Sequence, residues 1–370
     1  MKLSQQLKIN IRKVALITLG YVLINIHNFF YNYALIHSPY STGPSPLFLP
    51  EAGLLLSIAI GIVSGVLVGV LLVWVNSQLF RRKSFRFAIL TTFTAYVLIF
   101  TLAMLINQFF LIFAEHGITG VSYDSMSTSL APLFGLSMIT FFIMWGAVIL
   151  LTLFLLQVND KFGPGVFLKF LAGNYHSPKK EDRIFMFLDM RSSTTIAEKI
   201  GNEKYFNLLK DVFFDITDTI LNNEGEIYQY VGDEIVISWS IKKGSRNANC
   251  LNCFTHIQEK LIELRPIYEK KYKALPEFKA GIHYGTVMAG EVGVIKKDII
   301  YSGDVLNTTA RIQGQCNQYG VDVLISKETF NLISGTEGYK LIPLGNIELR
   351  GKKRKIALNT ISKSDSSTIK

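Results

Sequence analysis

Charge is what this chain lacks first. Residues 1–160 hold only eight Lys or Arg (positions 2, 8, 12, 13, 81, 82, 83 and 86) and four Asp or Glu (51, 115, 124 and 160). The rest of the chain holds 30 basic and 24 acidic side chains, an ordinary soluble density. Over the whole 370 residues, 18% are charged and 49% hydrophobic, against about 25% charged for a typical soluble domain. That excludes a single soluble domain and a disordered chain. Cysteine is scarce too. Cys250, Cys253 and Cys316 are the only three, all in the charge-rich half, which excludes a disulfide scaffold and fits a reducing compartment.

Four stretches contain no Asp, Glu, Lys or Arg: Val14–Leu35, Gly53–Asn76, Phe87–Phe113 and Leu133–Gln157. Each exceeds the roughly 20 residues that a helix needs to cross a bilayer, so the sequence predicts a four-span transmembrane bundle within residues 1–158. The first run is too long for a signal-peptide core and lacks a small-residue cleavage site after it. All eight basic residues of this half precede the first span or lie between spans two and three, while 36–50 and 114–132 have none. The positive-inside rule then places both termini, and everything after residue 158, on the cytoplasmic side of the cell membrane. Asn25, His27, Asn28, Tyr31 and Asn32 make the first span polar for a lipid-facing helix. Hydrogen bonding inside a packed bundle is the simpler reading, and a ligand site at His27 the alternative.

Residues 159–182 form a linker, with Gly163-Pro-Gly165 and a charged run at 178–182. Beyond it, residues 183–362 read as one α+β domain, and 363–370 as a polar tail. Arg183–Asp189 is an apolar strand ending in an acid. Residues 193–221 carry helical spacing closed by Gly225, and 226–231 and 234–239 are strands around the two-residue turn Gly232-Asp233. A helix over 247–264, a strand over 278–290, a helix over 304–318, then strand, helix, strand and strand complete the pattern. The order implies a ferredoxin-like βαββαβ core, with helices on one face of the sheet.

Asp189 ends a strand and Asp233 sits at a hairpin tip, so the two carboxylates can converge. Paired oxygen ligands suit Mg²⁺ held jointly with substrate phosphates, and two such ions can drive an in-line displacement at phosphorus. Each Asp alone can equally close a turn. Ser302–Arg311 adds a third element: Asn307 and Arg311 stand four apart on one helix face, an amide and a guanidinium fit for an anionic transition state.

Five stretches together resemble the class III nucleotidyl cyclases, the adenylate and guanylate cyclase catalytic domains. They are Phe187-Leu-Asp-Met-Arg-Ser-Ser-Thr194, Tyr230-Val-Gly-Asp-Glu234, Ala280–Gly285 through Gly290–Gly293, Gly303–Arg311 and Leu349-Arg-Gly-Lys352. They stand in the family's order over about residues 182–362. The resemblance implies a membrane-anchored enzyme that converts ATP to cyclic AMP and pyrophosphate. It makes Asp189 and Asp233 the ligands of two Mg²⁺ (or Mn²⁺) ions, assisted by the Met190 carbonyl. Thr194 would hold terminal phosphates, Asn307 the ribose, Arg311 the α-phosphate transition state and Lys352 the triphosphate. It also implies a homodimer whose two sites are shared, each taking its aspartates from one chain and Asn307, Arg311 and Lys352 from the other.

At the purine the chain departs from the family. Adenylate cyclases usually carry Lys where this chain has Gln229, and Asp or Thr where it has Ile300; guanylate cyclases usually carry Glu and a small residue. A Gln amide both donates and accepts, so adenine and guanine stay open at this position, with ATP favoured by the commoner activity of bacterial membrane members. Two other readings compete: a receptor that keeps the fold only to dimerise, and a dinucleotide-forming cyclase, whose glycine-rich signature Tyr230–Glu234 matches superficially. The intact set Asp189, Asp233, Asn307 and Arg311 speaks against the first, and the missing second Gly together with Asn307 and Arg311 against the second. His283 reads as a packed strand residue, and Cys250 and Cys253 as core rather than half a zinc site. The net charge of +10 divides into +4 that orients the membrane half and +6 beside a polyanionic substrate, so no nucleic-acid partner is implied.

Overall fold

The structure is a computed structural model that describes residues 4–37, 50–78, 86–87, 89–98, 101, 135–162, 173, 175–295, 297–349 and 355–363. It divides into two compact units, residues 7–167 and residues 1–6 with 168–370.

The first unit is helical: α1 (Gln5–Ile36), α2 (Pro50–Gln78), α3 (Ile89–Leu98) and α4 (Leu136–Phe162). Of these, α1, α2 and α4 are long and apolar enough to cross a membrane. The rest of the expected third span, together with residues 79–85 before it and 114–132 after it, lies outside the described residues. Gly65 lets α1 and α2 touch: a Cβ there would meet the Thr18 Cα at 2.6 Å, the small-residue contact that apolar helices use in lipid. Leu72, Val73, Ile149, Leu153 and Leu156 form the buried core. Asn25 donates back to the Tyr21 carbonyl of its own helix at 2.9 Å, and His27 is exposed rather than turned into the bundle.

The second unit is built on one eight-stranded sheet, ordered β2-β3-β1-β4-β6-β8-β7, with β5 added to β4. The strands are β1 (Lys179–Met190), β2 (Glu226–Val231), β3 (Glu234–Ser240), β4 (Phe278–Val292), β5 (Asp298–Ser302), β6 (Val323–Ser326), β7 (Tyr339–Ile347) and β8 (Ile356–Lys363). Five helices matter for the site: α5 (Ser193–Ile200), α6 (Asn202–Asn222), α7 (Asn249–Glu263), α8 (Arg265–Tyr272) and α9 (Asp304–Gly314). Central β1 is antiparallel to both β3 and β4. Strand alternation sorts its side chains. Ile184, Met186 and Leu188 enter a core with Leu208, Val212 and Ile216 of α6 and Leu251, Phe254 and Ile257 of α7. Phe185 and Phe187 face the other way, against Val305 of α9.

Helices therefore cover both faces, not one. The expected helix over 193–221 is also two, α5 and α6, because Gly201 between them sits at φ +81°. The helix expected to reach residue 318 stops at Gly314. Sequence patterning missed β5, a five-residue edge strand, and α8.

Candidate active site

Asp189 sits next to last in β1, where register places Glu234 of β3 on one side and Lys279 of β4 on the other. Gly232, at φ +63°, turns the β2–β3 hairpin so that Asp233 immediately precedes Glu234. The two aspartates act on shared neighbours. Burial first, then the charges of Asp189 and Asp233, push the Glu234 carboxyl up to about 7, against the pull of Lys279. Burial, Asp233 and Asp189 likewise raise the Tyr205 phenol, whose hydroxyl bonds the Ser193 side chain. Asp189 Oδ2 accepts from Gln313 Nε2 at 3.0 Å and from Lys279 Nζ at 3.1 Å.

Among the described residues, no three His, Cys, Asp or Glu side chains gather into a metal-ligating group. An ion at the strand ends that carry Asp189 and Asp233 would thus be held by few carboxylates and complete its shell with backbone, water or substrate oxygens. That donor set is oxygen-only and fits Mg²⁺ or Mn²⁺.

Met190 ends β1 with its side chain buried. The turn after it is pinned: Arg191 N donates to the Glu277 carbonyl at 2.8 Å, and its guanidinium binds the Val321 carbonyl and Asp322. Ser192 lies at φ +53°, and Thr194 is exposed in the first turn of α5.

Asn307 is exposed and Arg311 half-buried on α9, while Val305, Thr309, Ile312 and Gln313 form its buried side. Gln313 follows Arg311 by two residues, roughly 160° round the helix. One chain therefore brings Gln313 to Asp189 and presents Asn307 and Arg311 outward. Gly281 sets this arrangement. A Cβ there would lie 2.4 Å from Gln313 N and 2.7 Å from the Thr309 carbonyl oxygen, so only glycine lets α9 lie this close to β4.

Gln229 is exposed on β2 opposite Val236, and Ile300 is 36% exposed on β5 opposite Gly290. Their neighbours tie the two strands together. Tyr301 N donates to the Tyr228 hydroxyl at 3.1 Å, the rings 4.8 Å apart. The buried Arg183 guanidinium lies 4.8 Å from the Tyr301 ring centroid. Lys352 lies outside the described residues.

His283 is buried with Nδ1 2.8 Å from Ser326 Oγ, and Cys250 and Cys253 are wholly buried; all three are core residues. Sequence reasoning missed Glu234, Lys279 and Gln313. Glu234 had a local signal, standing beside Asp233. Only strand register and helix packing reveal the other two.

Residues 176–361 match the adenylate and guanylate cyclase catalytic domain. The chain is 34% identical over 210 residues to adenylate cyclase 2 of Rhizobium meliloti (strain 1021), covering 57% of this chain and 58% of that one. It is 27% identical over 177 residues to an adenylate cyclase of Anabaena cylindrica, covering 47% of this chain and 35% of that one. Among solved structures, a bacterial light-regulated adenylyl cyclase superposes with a TM-score of 0.51 at 20% identity, over 59% of this chain and 64% of that one, a likeness of fold.

Proposed function

The chain belongs to the adenylate and guanylate cyclase family, and from that premise we propose that it is a membrane-anchored adenylate cyclase forming cyclic AMP and pyrophosphate from ATP. The observation that carries this reading is the arrangement within one chain: Asp189 at the end of β1 and Asp233 at the adjoining β2–β3 turn, with Gln313 of α9 on Asp189 while Asn307 of that helix is exposed and Arg311 half-buried. Two copies related by a two-fold axis would bring one chain's aspartates to the other's Asn307 and Arg311, giving two equivalent shared sites. Residues 1–158 act as a four-span anchor with both termini in the cytoplasm, 159–182 as linker, 183–362 as the catalytic domain and 363–370 as tail.

Asp189 and Asp233, with the Met190 carbonyl, would hold two Mg²⁺ (or Mn²⁺) ions, which when bound would supply Lewis acidity to the ribose 3′-hydroxyl and the phosphates. Thr194 and Lys352 hold the terminal phosphates, and Asn307 fixes the ribose so that its 3′-oxygen stands in line with the α-phosphorus. As that oxygen passes its proton to water and bonds to phosphorus, the bond to pyrophosphate breaks, and Arg311 neutralises charge gathering on the α-phosphoryl oxygens. Gln229 and Ile300 face the purine. ATP is favoured because both relatives named above are adenylate cyclases.

The test offers ATP and GTP separately to the full chain in detergent, with Mg²⁺ or Mn²⁺, and quantifies cyclic products. Cyclic AMP from ATP is the expected result. Cyclic GMP alone overturns the substrate assignment, and no product in any combination overturns the enzyme reading.

A further inference from the structure

Lys279 has no part in the reaction as just described, yet it is only 13% exposed and stands directly opposite Asp189 in the β1–β4 pairing. Its ammonium lies 3.1 Å from Asp189 Oδ2, the oxygen that Gln313 Nε2 also reaches at 3.0 Å. Glu234 stands opposite Asp189 on its other side in the β1–β3 pairing, directly after Asp233. The site thus contains its own counter-cation.

We propose that Lys279 is a positioning residue that competes with the divalent ion for Asp189, so that the nucleotide-free site binds metal weakly. This rests on the reading of Asp189 and Asp233 as metal ligands. The competition is electrostatic. A unit positive charge within a few ångströms opposes an incoming dication, and the ion must also displace the ammonium from Oδ2 or share that oxygen with it. Removing the ammonium leaves Asp189 partly buried without its charge partner, which favours any cation that takes its place. Gln313, being neutral, orients the same oxygen without this penalty.

The experiment titrates Mn²⁺ alone into the full chain in detergent, without nucleotide, and reads free Mn²⁺ by electron paramagnetic resonance. Lys279→Met is expected to tighten Mn²⁺ binding on the order of tenfold, while Lys279→Arg stays within about twofold of the parent because the charge remains. Should Lys279→Met not fold, Lys279→Gln keeps a donor for Asp189 without the charge and is expected to tighten binding in the same direction. Binding unchanged or weakened in a folded neutral variant overturns the inference. Asp189→Asn separates the two levels. If it leaves Mn²⁺ binding intact, the metal-ligand reading itself fails; if it abolishes binding while the neutral variants do not tighten it, only the role of Lys279 fails.

Discussion

Gly281→Ala tests the packing that positions Arg311. The added methyl would sit 2.4 Å from the backbone nitrogen of Gln313, 2.7 Å from the Thr309 carbonyl oxygen and 2.8 Å from the Gln313 Cα. All three are main-chain atoms of α9, so no side-chain rotation relieves the clash. Ordinary contact needs about 3.5 Å, and the helix must recede from β4 by roughly 1 Å, carrying Asn307 and Arg311 with it. Overpacking of this kind costs about 1–3 kcal/mol, and a displacement of about 1 Å at catalytic groups costs on the order of 10²-fold in rate. The assay pairs a thermal melt with the turnover number for cyclic-nucleotide formation, measured well below the melting temperature. Gly314→Ala is the control. It lies at the end of the same helix, where an added methyl would meet nothing within 4 Å, and it is expected to be neutral or slightly stabilising. Gly281→Ala with parental turnover and parental melting temperature would refute the reasoning.

Two further outcomes concern the interior of the same domain. Burial raises the Glu226 carboxyl, but the Arg183 and Lys243 charges beside it more than reverse this and hold it below the usual range. Its contribution is therefore present above the unfolded-state carboxylate pKa and lost as pH falls through the lower folded-state value; the melting-temperature gap between the parent and Glu226→Gln should be largest near neutrality and shrink in acid, and a gap that grows in acid contradicts the assignment. Burial pushes the thiols of Cys250 and Cys316 up to about 12, and that of Cys253 higher still. None of the three should react with iodoacetamide at pH 8 in the native chain and all should react in denaturant, whereas rapid native labelling of Cys250 or Cys253 would show that they are not core.

The acids and the helix face of the site were legible in the sequence because their signals are local. An apolar run ending in Asp189, a Gly-Asp turn at 232–233, and a four-residue interval from Asn307 to Arg311 need no tertiary knowledge. The sheet's second helical layer was not legible. Periodicity shows that α9 has a buried side, but the face it covers depends on Val305 meeting Phe185 and on the absence of a side chain at Gly281. Helical spacing runs straight through Gly201, so the break there emerged only with its backbone conformation. β5 was missed because five residues on a sheet edge, three of them exposed, leave little pattern to find. Lys279 and Gln313 lie 90 and 124 residues from Asp189; strand register and helix docking join them to it, and register is a property of pairing rather than of either segment alone.

The central claim is that each site takes its aspartates from one chain and its Asn307 and Arg311 from another. Full-length Asp189→Ala and Arg311→Ala chains, each inactive alone, should regain cyclic-nucleotide formation when mixed and allowed to exchange partners. Random pairing of equal amounts gives half heterodimers, each with one intact site, and so about a quarter of the parental activity. A mixture that forms heterodimers yet stays as inactive as its components contradicts the shared site.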